Sequence, residues 1–583
     1  MATRDRIRHF VHDDETHFVE LVGHFFRRFF DSEFVSQRGE ARLTLIHVLA
    51  LLAVPAVLYT FYLFPVYDDI GQHHPAWYSA VSLIDRCRYV FFSMLVIGFV
   101  AALEWDALFP DYRDYMVLTM LPLRAAAVFA AKVTALGIFV TLFVVDVSGL
   151  PALMYPFVEA QGLTDPRVPL LHLLRTILAH GIAVASGSAF MFLFFVALEG
   201  LLINLLSARW FKKVSLYVQL LSMVALLSMF FLLPMISSLL PTWRRTNSVG
   251  LYLLPPMWFL GLYQTLLGAR DAVYASLARI ALAALGIVSV ASAITYLGSY
   301  RQYVRRSLEL AEGSRSGPGW ISSLLASLAD QLVVRRPLER AAFYFVGKTI
   351  LRSSKHRLYL AAYVGVGCAF VVEALVGLFA GRRMEVGGAD ATLLSIPLVL
   401  SFFALSGMRV IFPIPAELRA NWIFQVTEGE RRKECLSGVR KAMQVFAVAP
   451  LFLLLFPVYV VLWGWWMAIA QLLFGLTLSL VLVELLLLKF VKIPFTCSFL
   501  PGKANITVLG VFYWFAFTTY AYTMASLEAW MLRHPLSGPF FFGLAIPALA
   551  GLVACRNRIL DEGFTFTYED DPEPAVRRLN LND

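Results

Sequence analysis

Long apolar runs dominate this sequence and decide what it can become. Leu43–Pro65, Val273–Ser299 and Val458–Leu488 each match or exceed the ~20 residues that carry a helix across a bilayer. The chain is 59% hydrophobic and 15% charged, with a mean hydropathy of +0.70, against about 45–50% apolar and about 25% charged for soluble domains. Cores cannot hide that excess. A soluble enzyme, a secreted disulfide scaffold and a disordered chain are excluded, and an all-α polytopic membrane protein is expected, because helices satisfy their own backbone in lipid.

Reading the runs against their punctuation gives about twelve spans. They lie near 43–65, 83–103, 125–148, 172–205, 214–240, 273–299, 358–380, 393–412, 443–463, 466–488, 508–526 and 538–555. With the N-terminus in the cytoplasm, segments 104–124, 206–213, 300–357, 413–442, 489–507 and 556–583 share its side. Together with the N-terminal tail they hold roughly three quarters of the Lys and Arg, as the positive-inside rule requires. The C-terminus then lies inside as well. The expected organisation is a tail with an amphipathic helix (1–42), a first membrane unit (43–299), a linker with a second entry segment (300–357), a second unit (358–555) and a tail (556–583).

The formal charge of +9 is dispersed between apolar runs, which argues for topology and against nucleic acid. Five scattered cysteines without a Cys-x-x-Cys pair indicate neither zinc nor a disulfide framework. About forty polar and amphipathic residues precede the first run, too long and acidic for a signal n-region, so that run is expected to direct insertion.

An internal repeat is the most informative pattern. After the second span comes Glu104-Trp-Asp-Ala-Leu-Phe-Pro-Asp-Tyr-Arg-Asp-Tyr115, and after the eighth comes Arg409-Val-Ile-Phe-Pro-Ile-Pro-Ala-Glu-Leu-Arg-Ala-Asn-Trp422. Each is a Phe-Pro break, a short charged segment and then an amphipathic lead into the next span. Glu199 in the fourth span and Glu484 in the tenth are both followed by basic residues (Arg209, Lys212, Lys213; Lys489, Lys492). The order of parts predicts two fused six-span halves in parallel topology.

Amphipathic entry helices are expected before each half. In Glu15–Phe34, residues Phe18, Leu21, Val22, Phe25, Phe26, Phe29 and Phe30 form one helical stripe, which suits a helix lying in the bilayer interface. Leu332–Arg357 is its basic counterpart, following a Gly-rich break at Gly313–Gly319.

Enzymatic motifs are missing. Gly347-Lys348-Thr349 lacks the leading glycine and strand of a phosphate loop, and Leu436-Ser437-Gly438 has no Walker B strand near it. The chain is not expected to hydrolyse ATP or to carry a cofactor. His12-Asp-Asp-Glu-Thr-His17 reads as a solvated helix start, where acids meet the dipole; metal binding by His73-His74 with Asp68-Asp69 is a weak alternative.

Charges inside spans remain: Asp146, Glu199, Glu373 and Glu484. An acid deep in a membrane helix costs ~2.5–3.5 kcal/mol on insertion scales and turns toward protein or water. One reading is proton or cation coupling. The other is that Glu199 and Glu484 pair with neighbouring bases and hold helices together, which their repetition favours. Asp85, Arg86 and Arg88 are expected to pair among themselves near the start of the second span.

The order of entry helix, two spans, coupling segment and four spans resembles ABC transporter permeases, in particular the ABC-2-type exporter membrane domain. Carrying the resemblance are Glu15–Phe34, Leu108-Phe-Pro-Asp-Tyr-Arg-Asp-Tyr-Met-Val-Leu118, Leu121-Pro-Leu-Arg124 with Ala131-Lys132, and the diverged Ile411-Phe-Pro-Ile-Pro-Ala-Glu-Leu-Arg419. The second copy departs by its richness in Arg and Lys. The resemblance implies an export permease of the bacterial cytoplasmic (inner) membrane, driven by a separate ABC-type ATPase, in two copies, that holds the ATP and Mg. Its coupling contacts would be Glu104, Asp106, Phe109, Pro110, Asp111, Tyr112, Arg113 and Asp114, and Phe412, Pro413, Glu417, Arg419 and Trp422. Among these Phe109, Tyr112, Phe412 and Trp422 would be apolar anchors and the acidic and basic side chains rim charges. An ion-coupled secondary transporter or lipid flippase is the alternative. A membrane-embedded lipid enzyme is disfavoured by the lack of a polar catalytic cluster.

Overall fold

The structure is a computed structural model and describes residues 18–27, 29, 41–109, 125–163, 170–311, 330–331, 333–380, 390–416, 432–488, 490, 493–496 and 506–561. Among these residues all regular structure is helical. Among the described residues, ten helices are long and apolar enough to cross a membrane. The chain is an all-α polytopic membrane protein, and it divides into two compact units, Met1–Ser314 and Arg315–Asp583.

The first unit contains α1 (Ala41–His73), α2 (Tyr78–Leu103), α3 (Ala125–Gln161), α4 (Leu170–Leu205), α5 (Ala208–Thr246), α6 (Pro255–Leu266) and α7 (Ala272–Ala311). Its centre is α2, which packs on α4, α5 and α6, while α4 also packs on α3 and α7. Small residues set these approaches: a methyl group on Gly261 of α6 would meet Leu277 Cβ of α7 at 2.4 Å, the close backbone contact that membrane helices use in place of a hydrophobic driving force. Several helices exceed the expected runs. The third continues through Pro151 and Pro156 to Gln161, because a proline inside lipid is tolerated where neighbours re-satisfy the backbone.

The entry stretch is helical over 18–27, but its stripe does not simply face lipid. Leu21, Phe25 and Phe29 are buried, Phe29 stacks on Phe139 of α3 at 4.6 Å, and the Lys132 ammonium lies over the rings of Phe25 and Phe29. The stripe finds a protein partner in α3.

The second unit contains α8 (Pro337–Arg352), α9 (Ser354–Ala380), α10 (Ala391–Ile411), α11 (Arg432–Met443), α12 (Ala449–Trp463), α13 (Trp465–Leu487), α14 (Ile506–Thr518), α15 (Met524–Arg533) and α16 (Gly538–Asp561). Here α10 is central, packing on α9, α13 and α15; α12 packs on α13, and α13 on α16. A π turn at Gln444–Val448 joins α11 to α12, and another at Thr519–Thr523 joins α14 to α15. Gly464 reverses the chain between α12 and α13 in a single residue, at φ 82°, a conformation only glycine adopts at no steric cost.

Candidate functional site

Each Phe-Pro break follows the central helix of its unit. In the first unit a turn at Trp105–Leu108 presents Trp105, fully buried, whose Nε1 donates to Ser215 Oγ of α5 at 2.8 Å. Phe109 stacks on Tyr296 of α7 at 4.7 Å and lies against Gly200 of α4. In the second unit Phe412 is buried; Phe495 donates its backbone N–H to the Phe412 carbonyl at 2.7 Å, and Ala416 donates to the Phe495 carbonyl at 3.1 Å. His356 Nε2 lies 3.0 Å from the Ile414 carbonyl. Both phenylalanines thus pin their turns to their own unit, because a ring this apolar finds a core before a partner. Their expected role as exposed anchors is corrected on that ground.

Glu104 caps the end of α2, and the backbone of Asp106 lies in the turn that follows. Pro413 continues from Phe412 in the second turn. Pro110, Asp111, Tyr112, Arg113, Asp114, Glu417, Arg419 and Trp422 lie outside the described residues, as do His12 and His17.

At the opposite end of the first unit, five helices meet in a buried polar network. Tyr59 and Tyr67 of α1 donate to the two oxygens of Asp85 of α2, at 2.5 and 3.0 Å. Arg88 reaches Asp85 at 3.3 Å, the Tyr59 hydroxyl at 2.7 Å and Ser237 Oγ of α5 at 3.1 Å. Arg86 leaves this group. It pairs with Glu159 of α3 and donates to Gln264 Oε1 of α6 at 3.2 Å. The expectation that Asp85, Arg86 and Arg88 pair together therefore holds for Asp85 and Arg88 and is corrected for Arg86, since Asp85 is already saturated by two hydroxyls and one guanidinium. Two cations and two anions cancel, as burial demands.

His180 of α4 sits at the edge of this network with 0% exposure. Tyr89, Tyr155 and Tyr263 surround its ring, and Nδ1 lies 3.2 Å from the Tyr263 hydroxyl. Its Nε2 finds no hydrogen-bond partner among the described residues. Glu159, His180 and the tyrosines escaped the sequence reading. The available signal was Tyr155 and Glu159 one turn apart on a single helical face.

The four intramembrane acids divide. Glu484 of α13 is buried and bridges Arg440 of α11 at 3.1 Å and Arg556 of α16 at 2.5 Å, a structural ion triad. Both partners come from other helices; Lys489 and Lys492, which follow Glu484 in sequence, lie outside the described residues. Glu199 is buried near Tyr296. Asp146 is half-buried, with Oδ2 unpartnered among the described residues. Glu373 is on the exposed face of α9. A fifth acid went unnoticed: Glu528 of α15 is 2% exposed and neither carboxyl oxygen has a hydrogen-bond partner among the described residues. At the end of α1, His73 Nδ1 lies 3.0 Å from Asp69, and His74, just beyond it, stacks on Trp77; no group of metal-ligating residues occurs among the described residues.

No known protein family matches the chain, and no curated protein and no solved structure matches it.

Proposed function

We propose that the chain is the membrane-spanning permease of an ATP-driven exporter of the ABC-2 type, built as two six-span halves and driven by a separate ATPase subunit. The observation that carries the reading is a shared packing order. Each unit contributes five of the ten membrane-length helices, and a further long helical element, α1 in the first and α14–α15 in the second, supplies a sixth. In both units the second helix packs on the fourth and fifth, the third on the fourth, and the fourth on the sixth. In both, a Phe-Pro turn follows the second helix with its phenylalanine buried. Such order in both units supports one ancestral six-helix plan. A turn locked to its own helices can pass on a push from an outside motor, as a loose loop cannot.

Reconstitution tests the reading. With an ATPase encoded beside this chain, transport should require ATP and should stop when Asp111, Arg113 and Asp114 are replaced by alanine, with folding intact. ATP-independent transport down an ion gradient by the isolated chain overturns it.

One observation favours ion coupling instead. Glu528 is a buried carboxyl without an ion-pair partner among the described residues, the kind of group that marks proton relays in membranes. Proton-dependent transport abolished by Glu528→Gln would select that second reading.

A further inference from the structure

The sixteen-residue helix α8 has two unlike faces. One is apolar and fixed: Ala342, Phe343, Val346 and Ile350 are buried where α8 packs on α11. The other carries Arg340, Lys348 and Arg352, with Arg336 at the cap just before the helix, all exposed. The only acid in the helix, Glu339, faces inward and pairs with Lys441 at 2.7 Å. Arg336 and Arg340 have the carboxylates of Glu434 and Asp330 for company. Lys348 and Arg352 have no ion pair among the described residues.

Lys348, whose ammonium lies over the Tyr344 ring, and Arg352 lie toward the end of the helix next to the following span. α8 stops at Arg352 and the next membrane-length helix begins at Lys355. Two intervening residues span no more than about 10 Å, and Lys348 is one helical turn, about 6 Å, further back. Between them Leu351 stands 67% exposed. An apolar side chain flanked by cations within reach of the bilayer surface matches the boundary between headgroups and acyl chains. An acidic protein surface would use the cations and leave the leucine without a partner.

We propose that the exposed face of α8 binds anionic phospholipid headgroups, with Lys348 and Arg352 on the phosphates and Leu351 in the acyl boundary. The inference does not rest on the transport reading.

The test uses the full chain, reconstituted into vesicles of phosphatidylcholine mixed with phosphatidylglycerol and then delipidated stepwise, with retained lipids counted by native mass spectrometry. The wild type should keep phosphatidylglycerol over phosphatidylcholine, and added salt should weaken the preference. Lys348→Gln with Arg352→Gln should lower the preference about thirtyfold while leaving the thermal midpoint in pure phosphatidylcholine unchanged, since both side chains are exposed. Lys348→Arg with Arg352→Lys should retain it. Equal preference in the glutamine variant and the wild type overturns the proposal. So does a glutamine variant that keeps its lipid but loses an acidic protein partner, which would assign the face to protein.

Discussion

Phe495 donates its backbone N–H to the carbonyl of Phe412 at 2.7 Å while held at φ 67°. A phenylalanine in the left-handed region stores strain, of order 1–3 kcal/mol, and here the strain is held by the ring's burial against Phe412 and His356. The turn after α10 is therefore latched to the segment after α13 by a residue that is locally unfavourable and globally fixed.

That conflict predicts an inverted order of mutants. Phe495→Ala should destabilise the full chain by about 3–5 kcal/mol through the lost ring. Phe495→Gly loses the same ring but relaxes the backbone, and should be milder by about 1 kcal/mol. Thermal unfolding in one detergent decides; the usual order, alanine milder than glycine, would remove strain from the account.

Arg86 and Glu159 form the ion pair that ties α2 to α3. Glu159→Gln should cost about 3–5 kcal/mol by stranding a buried guanidinium, and adding Arg86→Gln should restore part of that loss. A double-mutant cycle on thermal midpoints measures it, and strictly additive losses would mean the two groups do not couple.

Glu339 gives a pH dependence outside the spanning segments. Burial raises its carboxyl pKa, but the hydrogen bonds from Lys441 and Ser437 outweigh it and hold the value below the ordinary one. A depressed folded pKa contributes stability that is complete above the unfolded value, about 4.3, and is lost as pH falls through the folded value. Melts from neutral to acidic pH should show the wild type losing stability in that window and Glu339→Gln showing a flatter curve. Parallel curves would contradict the pairing.

Glu528 points the other way. A buried carboxyl with no hydrogen-bond partner among the described residues opposes folding, so Glu528→Met, of similar length, should raise the thermal midpoint. A lower midpoint would reveal a partner for the carboxyl.

Membrane class was legible in the sequence because lipid imposes length and hydropathy on every spanning helix. So was the break after each central helix, because Phe-Pro interrupts an apolar run visibly. The buried chemistry was less so. Arg86 has Asp85 next to it and Arg88 two residues away, yet its partner Glu159 is 73 residues on, and nothing local announces it. Glu484 shows the same limit: Arg440 and Arg556 reach it from helices whose neighbourhood only packing creates. The resemblance made Phe109 and Phe412 anchors for a partner, whereas both rings are buried within their own units.

Gly438 removes all clearance between α11 and α8: a methyl group there would stand 2.3 Å from the carbonyl oxygen of Glu339. Two rods in such backbone contact cannot slide lengthwise independently. Any displacement of the chain entering at Arg432 is delivered, undiminished by side-chain give, to the doorstep of α9.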